Sequence, residues 1–533
     1  MDSLSRLPSL VLTNIIIHIE SERDILQMIR ASPVLFAQYV RYRRTIMRHR
    51  LSNILAIDSD GTILQDAQAI IHFPPVNESA PMPLSSVPAI CQTLNLWDDQ
   101  AFSNPLTQSD QGDITKLYRF FCRLITFIED YLAKALDPFP SRAYLALPDL
   151  TSVVPTMHFK GRAVDVKPVP FGTMKGPEKC CLLRAFVRYE LLCKVYHPRV
   201  WNHIDGSTYA KIVKRSHERL TLKDYEALCC VYEYFKGLYG AVFAHCRDSW
   251  LPDRPTHSQS KTTAVNQSVG VEHQYPLLSK DYGLLYPDSV YFSAQEYSIG
   301  EICGSLEDIL PSLGLDLLSS IVMSLGMDEK NGEYLRVWFG ILSSQHDWLI
   351  EHDWFIKPWI FRRHFVGRHK HLNINDQQIF LWRLRMASQQ QSYRGRGGRI
   401  CPRGSRIDIE QRTRQFHIHN LQLKIFRQRA WVFFDGSRLC TRYSPHLPTW
   451  SELEAEDQTT SEMLGLAYQR ARRRSQKWQD YWSGRTLDHP FDQQEGNGSG
   501  AAGPVEDNRQ CVPRFFEKPG RGEMVKCWKR CDS

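Results

Sequence analysis

No uninterrupted apolar run in this chain approaches the roughly 18 residues needed to span a bilayer, so a membrane-spanning helix is not expected. Cysteine is sparse, at 14 in 533 residues, far below the density of a disulfide scaffold. There is no Cys-x-x-Cys pair, and Cys511, Cys527 and Cys531 lack an obvious fourth ligand for a metal. The sequence has no Gly-x-Ser-x-Gly elbow, no kinase set, no His-Glu-x-x-His and no dinucleotide glycine fingerprint. Leucine-rich, kelch and WD periods are missing as well. Met1-Asp2-Ser3 supplies no basic region, and Thr13, Asn14 and His18 interrupt the apolar run that follows, a poor secretory signal. We therefore expect a non-catalytic protein without cofactor, metal or membrane partner.

What is present argues for a folded body. Hydrophobic residues make up 42% of the chain and aromatics 11%, against the composition of a disordered protein. The length is that of about two to four domains. The net charge of +8 is modest for this length and does not by itself point to nucleic acid. Cys122, Cys180, Cys181, Cys193, Cys229 and Cys230 lie inside apolar helical patterns. They read as reduced core residues of a cytoplasmic or nuclear protein.

The first fifty residues carry the most information. Pro8 suits the first turn of a helix, and Val11, Leu12, Ile15, Ile16 and Ile19 then form one apolar stripe. Glu20-Ser21-Glu22-Arg23 is a polar break, where Ser21 and Asp24 can form a variant of the capping box. Ile25, Leu26, Met28 and Ile29 carry a second helix, Ser32-Pro33 interrupts it, and a third amphipathic stretch runs from Val34 to about Leu51. Three short helices do not reliably bury a core of their own, so a partner or the domain behind should complete them.

These residues resemble an F-box. Leu7-Pro8, Leu12, Ile15-Ile16, Ile19 and Asp24-Ile25 stand where that pattern has its Leu-Pro, its paired aliphatics and its Asp-Leu. Leu10 departs from it where a Glu is common, and Phe36 is the aromatic nearest to a missing Trp. The stretch Arg30 to Phe36 is similar to a variant in filamentous-fungal F-box-like proteins, and Leu183–Cys193 and Arg429–Asp435 resemble later segments of the same proteins. The last two also have a plain core-packing reading. The resemblance implies docking to a Skp-type adaptor, and through it to a cullin ubiquitin ligase, by Leu7, Pro8, Leu12, Ile15, Ile16, Ile19 and Ile25. The chain would be a receptor subunit for an unknown substrate protein. The alternative is a helical hairpin that packs only on its own domain.

The expected fold is mainly α: an F-box-like module over residues 1–50, then a large irregular helical body with few short strands. Residues 51–112, broken by Pro74, Pro75, Pro81, Pro83 and Pro88, read as an irregular connection. A helical body spans 113–250, with strong periods over Lys116–Leu136, Glu178–Tyr196 and Thr221–Cys246. A polar linker covers 251–275, and a Trp-rich helical part covers 276–386, with a helix over Ser305–Gly326 split by Pro311 and Gly314. A basic linker at 387–414, a further part of the body at 415–487 and a disordered tail at 488–533 complete the chain. Within 415–487, Gln428–Asp435 is a strand-like or buried run.

Four features invite sharper chemistry. Arg394, Arg396 and Arg399 belong to an Arg-Gly segment, and residues 394–429 hold ten Lys/Arg against Asp408 and Glu410. Such a segment can follow a phosphate backbone, which makes nucleic-acid association the runner-up. A solvated basic loop is the plainer reading. The basic run Gln469–Lys477 suits an import receptor or an exposed helix face. Histidines His364, His369 and His371 are surrounded by arginines that oppose a cation, and His417 and His419 alternate as on one face of a strand; surface or structural histidine is the default for all five. Asp58-Ser59-Asp60-Gly61-Thr62 is similar to the Asp-x-Asp-Gly-Thr of aspartyl-nucleophile phosphatases. That chemistry needs a preceding strand inside an α/β sheet, whereas Asp60-Gly61 favours a turn.

Overall fold

The computed structural model describes residues 3–19, 21–74, 84–107, 111–137, 140–150, 156–160, 162–246, 310–327, 335 and 424–434. The chain divides into two compact units, 1–475 and 476–533, and every described residue lies in the first. The linkers at 251–275 and 387–414, most of the Trp-rich part, the tail and the basic run at 469–477 lie outside the described residues. So do Arg394, Arg396, Arg399, the five histidines named above and Cys511, Cys527 and Cys531.

Helices dominate. They are α1 Ser9–His18, α2 Glu22–Ala31, α3 Pro33–Leu55, α4 Thr62–His72, α5 Val87–Asp98 and α6 Gln111–Leu136. There follow α7 Pro140–Leu145, α8 Gly176–Val195, α9 Pro198–Ile204, α10 Thr208–Glu218, α11 Leu222–Cys246 and α12 Leu315–Met327. Proline opens α3, α7 and α9 and stands second in α5 and α8. These are the positions where its fixed φ helps and its missing N–H costs nothing. Among the described residues no helix is long and apolar enough to cross a membrane.

The stretch expected to be an irregular connection is largely helical. It holds the end of α3, all of α4 and all of α5. The prolines that suggested irregularity flank these helices instead of interrupting them, and Pro88 sits in the first turn of α5. Buried polar residues also mask the α4 stripe. Asp66 and Gln68 face inward, because Asp66 accepts hydrogen bonds from Trp97 Nε1 at 2.7 Å and Arg188 Nε at 2.6 Å.

The body core is built where α6, α8 and α11 meet. Their inward faces bring Tyr131 to 4.8 Å from Tyr234 and set Tyr189 edge-on to Phe235 at 5.2 Å. α11 begins with a reciprocal cap, in which the Asp224 N–H donates to Thr221 Oγ1 and the Thr221 N–H to Asp224 Oδ2, each at 3.1 Å. Strands are few and short among the described residues. β1 Leu147–Pro148, β2 Met157–Phe159 and β3 Arg162–Val164 form one antiparallel sheet in that order, with Leu147 opposite His158 and Met157 opposite Val164. Phe159 packs 4.8 Å from the ring of His245 at the end of α11. Burial, reinforced by nearby His158, holds the His245 imidazole well below its ordinary pKa.

The run expected to be strand-like or buried is buried over its described residues 428–434, and it is not extended there. Residues 424–428 form a helical turn and 429–433 continue as turns, with Ala430 at φ +54°. Its backbone is used as an anchor. Tyr131 and Tyr144 donate their hydroxyls to the carbonyls of Arg427 and Gln428 at 2.5 and 2.6 Å. Arg429 donates to the Ala135 and Asp137 carbonyls, placing a cation at the C-terminal end of α6 where the helix dipole favours it.

At Pro311 and Gly314 the chain turns before α12, while residues 305–309 of the expected helix lie outside the described residues. A 3-10 turn covers Leu310–Leu313, and Gly314 adopts φ +87°. A Cβ there would lie 3.1 Å from the Glu190 carboxylate. Gly314→Ala should therefore cost about 1–2 kcal/mol from left-handed strain alone, read as a lower denaturation midpoint. An unchanged midpoint would mean that this turn is free to rearrange.

Candidate functional site

The N-terminal helices have a core of their own. Leu12 and Ile16 from α1, Ile25 and Ile29 from α2, and Leu35, Tyr39 and Ile46 from α3 bury one another. Polar contacts fix the arrangement. Gln38 on α3 donates to the Ser9 carbonyl and to Thr13 Oγ1, both at 2.6 Å, which ties α3 to α1. Ser32 Oγ accepts the Leu35 N–H at 3.2 Å and caps α3. The expected Ser21–Asp24 capping box does not form; Ser21 precedes α2 without a side-chain cap. Instead Glu22 turns inward, accepts the Tyr118 hydroxyl of α6 and joins the module to the body. Burial raises the Glu22 pKa against the pull of Tyr118 and Arg50, and it pushes the neighbouring Cys122 thiol up to about 12. Arg50 donates to the Ile19 carbonyl just beyond α1.

The seven residues expected to meet an adaptor divide into three groups. Leu12, Ile16 and Ile25 are buried in the module core. This corrects the expectation for them, because a side chain already enclosed by its own helices has no surface to give a partner. Ile15 and Ile19 are half-buried, and Leu7 and Pro8 are exposed. Sequence reading missed Leu10, Val11, Phe36 and Val40. Leu10 is 72% exposed, Val40 58% and Phe36 54%. Of the six large apolar side chains standing exposed among the described residues, only Met323 lies outside the module. A signal for Leu10 was available: it is the apolar residue standing where the F-box pattern has a charge.

A second feature is a cleft of about 440 Å³ in the body, with Leu220, Leu228 and Ala185 among its apolar lining. Its charged lining sets Arg184, Arg188 and Arg219 against Asp60, Asp98 and Asp224. Arg184 meets Asp60 at 2.8 Å, and Arg188 meets buried Asp66 while stacking 5.3 Å over Trp97. Arg215 and Arg219 stand 3.7 and 3.8 Å from Asp98. The resulting surface is electrically balanced and suits a polypeptide segment better than a free anion.

The Asp58–Thr62 motif forms the turn expected of Asp60-Gly61. Gly61 takes φ +70°, Asp60 accepts the Thr62 N–H and hydroxyl, and Asp58 accepts the Leu64 N–H at 3.0 Å. Burial raises the Asp58 carboxyl. Burial also works to raise Asp60, but the bonds from Thr62 and Asp58 and the charge of Arg184 prevail and hold it low. Both carboxylates serve the start of α4, and no strand precedes them among the described residues. No group of three or more His, Cys, Asp or Glu is placed to hold a metal ion among the described residues.

Charge is distributed unevenly along this half of the chain. Residues 1–50 contain eight arginines and no lysine, and residues 51–115 contain eight acids and neither lysine nor arginine. Comparison with protein-family models, with curated proteins and with solved structures finds no match to this chain, so the reading of its N-terminal module rests on residues and geometry.

Proposed function

We propose that this chain is an F-box-like substrate receptor. A Skp-type adaptor docks on the exposed apolar residues of the N-terminal module, chiefly Leu7 just before α1 and Leu10 and Val11 on it, and links the chain to a cullin ubiquitin ligase. The single observation carrying this reading is the concentration of exposed apolar side chains in the first forty residues. Scattered exposed apolar residues are ordinary, but their gathering in one small module marks an interaction surface. The body cleft then takes a segment of the substrate protein. The chain performs no bond chemistry; it raises the effective concentration of substrate at the ligase.

Anchors of this kind dominate binding energy. Leu10→Asp with Val11→Asp should therefore reduce recovery of the host's Skp-type adaptor at least tenfold in co-purification with the tagged full chain. The melting temperature should stay unchanged, because both side chains are exposed. Adaptor recovered equally with wild type and variant would refute the assigned surface. A folded wild-type chain that recovers no adaptor would refute the receptor reading and leave the module as a structural hairpin.

A further inference from the structure

α3 carries a second surface that adaptor docking on α1 does not use. Phe36 and Val40 stand exposed one turn apart on its first half. Arg41 stands just before the bend at Tyr42, and Arg44 and Arg48 follow just after it, all exposed. Like charges four apart, as Arg44 and Arg48 are, oppose helix formation. Among the described residues neither Arg41 nor Arg44 meets a carboxylate. Arg41 only lies over the ring of Tyr42 at 5.4 Å. The contrast with the body is direct, since Asp60, Asp66, Asp98 and Asp113 all have basic partners there. Arg41 and Arg44 are thus exposed cations without a carboxylate among the described residues, close in the chain to two exposed apolar side chains.

We infer that the outer face of α3 docks an acidic protein segment, one that presents carboxylates about a helical turn apart next to an apolar side chain. The cations are arginines throughout, and arginine grips carboxylates in a planar, two-pronged geometry that lysine cannot match. Protein interfaces are enriched in arginine and aromatics and depleted of lysine, which describes this face. Nucleic acid fits it less well. Stacking of bases requires aromatic platforms, and Phe36 is the sole aromatic among the module's exposed large apolar side chains. A lipid surface fits less well too, because the opposite face of α3 is enclosed in protein and only Phe36 and Val40 are free to insert. This inference stands apart from the adaptor surface on α1, and either can fail alone.

The test uses the full chain and a fluorescent 16-residue peptide in which Asp and Glu alternate with Leu. Its controls are the same peptide with Lys replacing each acid, single-stranded polyuridine RNA, and vesicles containing phosphatidylserine. The acidic peptide should bind, with affinity falling as salt rises. Arg41→Glu with Arg44→Glu should weaken it at least tenfold. Lys214→Glu, an exposed charge reversal on α10, should leave binding within twofold. The milder pair Arg41→Gln with Arg44→Gln should give an intermediate loss and guards against misfolding of the reversed pair. Absence of peptide binding would overturn the inference, as would equal loss in Lys214→Glu. Tighter, Arg41/Arg44-dependent binding of RNA or vesicles would overturn it in favour of those partners.

Discussion

Lys134→Met should lower the stability of the body by about 3–5 kcal/mol, the usual consequence of leaving a buried charge unpaired. Lys134 is wholly enclosed in α6. It donates at 2.7 Å to Asp130, one turn earlier and equally enclosed, and the Tyr234 hydroxyl donates to the same carboxylate oxygen at 2.7 Å. Burial raises the Asp130 pKa and lowers that of Lys134, each opposed by the partner's charge. The pair is thus held by mutual attraction against a large desolvation cost. Removing the ammonium abolishes the attraction and leaves the cost. Adding Asp130→Asn to Lys134→Met should recover more than half of the loss, because the amide oxygen still accepts the Tyr234 hydroxyl and no charge remains. Chemical denaturation of the two variants beside wild type reads both effects. A single variant within 1 kcal/mol of wild type would show that the pair contributes nothing the core cannot replace.

The second large effect is a dependence on pH carried by Glu190. Its carboxylate lies buried between α8 and the start of α12, where it accepts the Leu315 N–H at 2.6 Å. Lys194 stands 3.7 Å away and is also engaged by Asp316, which Arg123 of α6 reaches as well. Burial dominates, opposed by Lys194, and lifts the Glu190 pKa from 4.5 to about 7. A raised carboxyl pKa means that the folded state holds its proton more tightly than the unfolded chain does. Its contribution to stability is complete below pH 4.5 and disappears as pH rises towards 7. At about 1.4 kcal/mol per unit, the change is about 3 kcal/mol. Buried His245 acts in the opposite sense, since its depressed pKa removes stability as pH falls. The informative quantity is therefore the difference between wild type and Glu190→Gln. The glutamine keeps an oxygen for Leu315 and cannot titrate. That difference should change by about 3 kcal/mol between pH 4.5 and pH 7.5; a constant difference would place the Glu190 pKa in its ordinary range.

How far such sites could be read from the sequence depends on the range of the interaction. The periods of α6, α8 and α11 were plain, because each repeats apolar residues for five turns or more on one helix. The helices α4 and α5 were hidden by prolines that mark ends, and by Asp66, whose partners Trp97 and Arg188 are distant in the chain. Lys134 and Asp130 sit four apart, as in any solvated helix pair. Nothing local shows that Tyr234, a hundred residues later, closes over them. On α1 the apolar pattern identified the helix but not its two sides. Leu10 and Leu12 are the same residue type, and only the position of α3 decides that Leu12 is core and Leu10 is surface. The run from Gln428 was legible as buried, whereas its folding back at Ala430 depends on the tyrosines that hold the carbonyls of Arg427 and Gln428.

α3 belongs to both cores. Ile46 packs with α1 and α2, while Met47, Leu51 and Leu55 pack into the body. The backbone is continuous from one to the other, bent at Tyr42. Unfolding of either core therefore takes packing from the helix that serves the other. Any ligand of the first forty residues that prefers the folded form should then protect the body as well, by up to an amount set by its concentration relative to its Kd. Occupancy at one end of the molecule would be written into the thermal lifetime of the other.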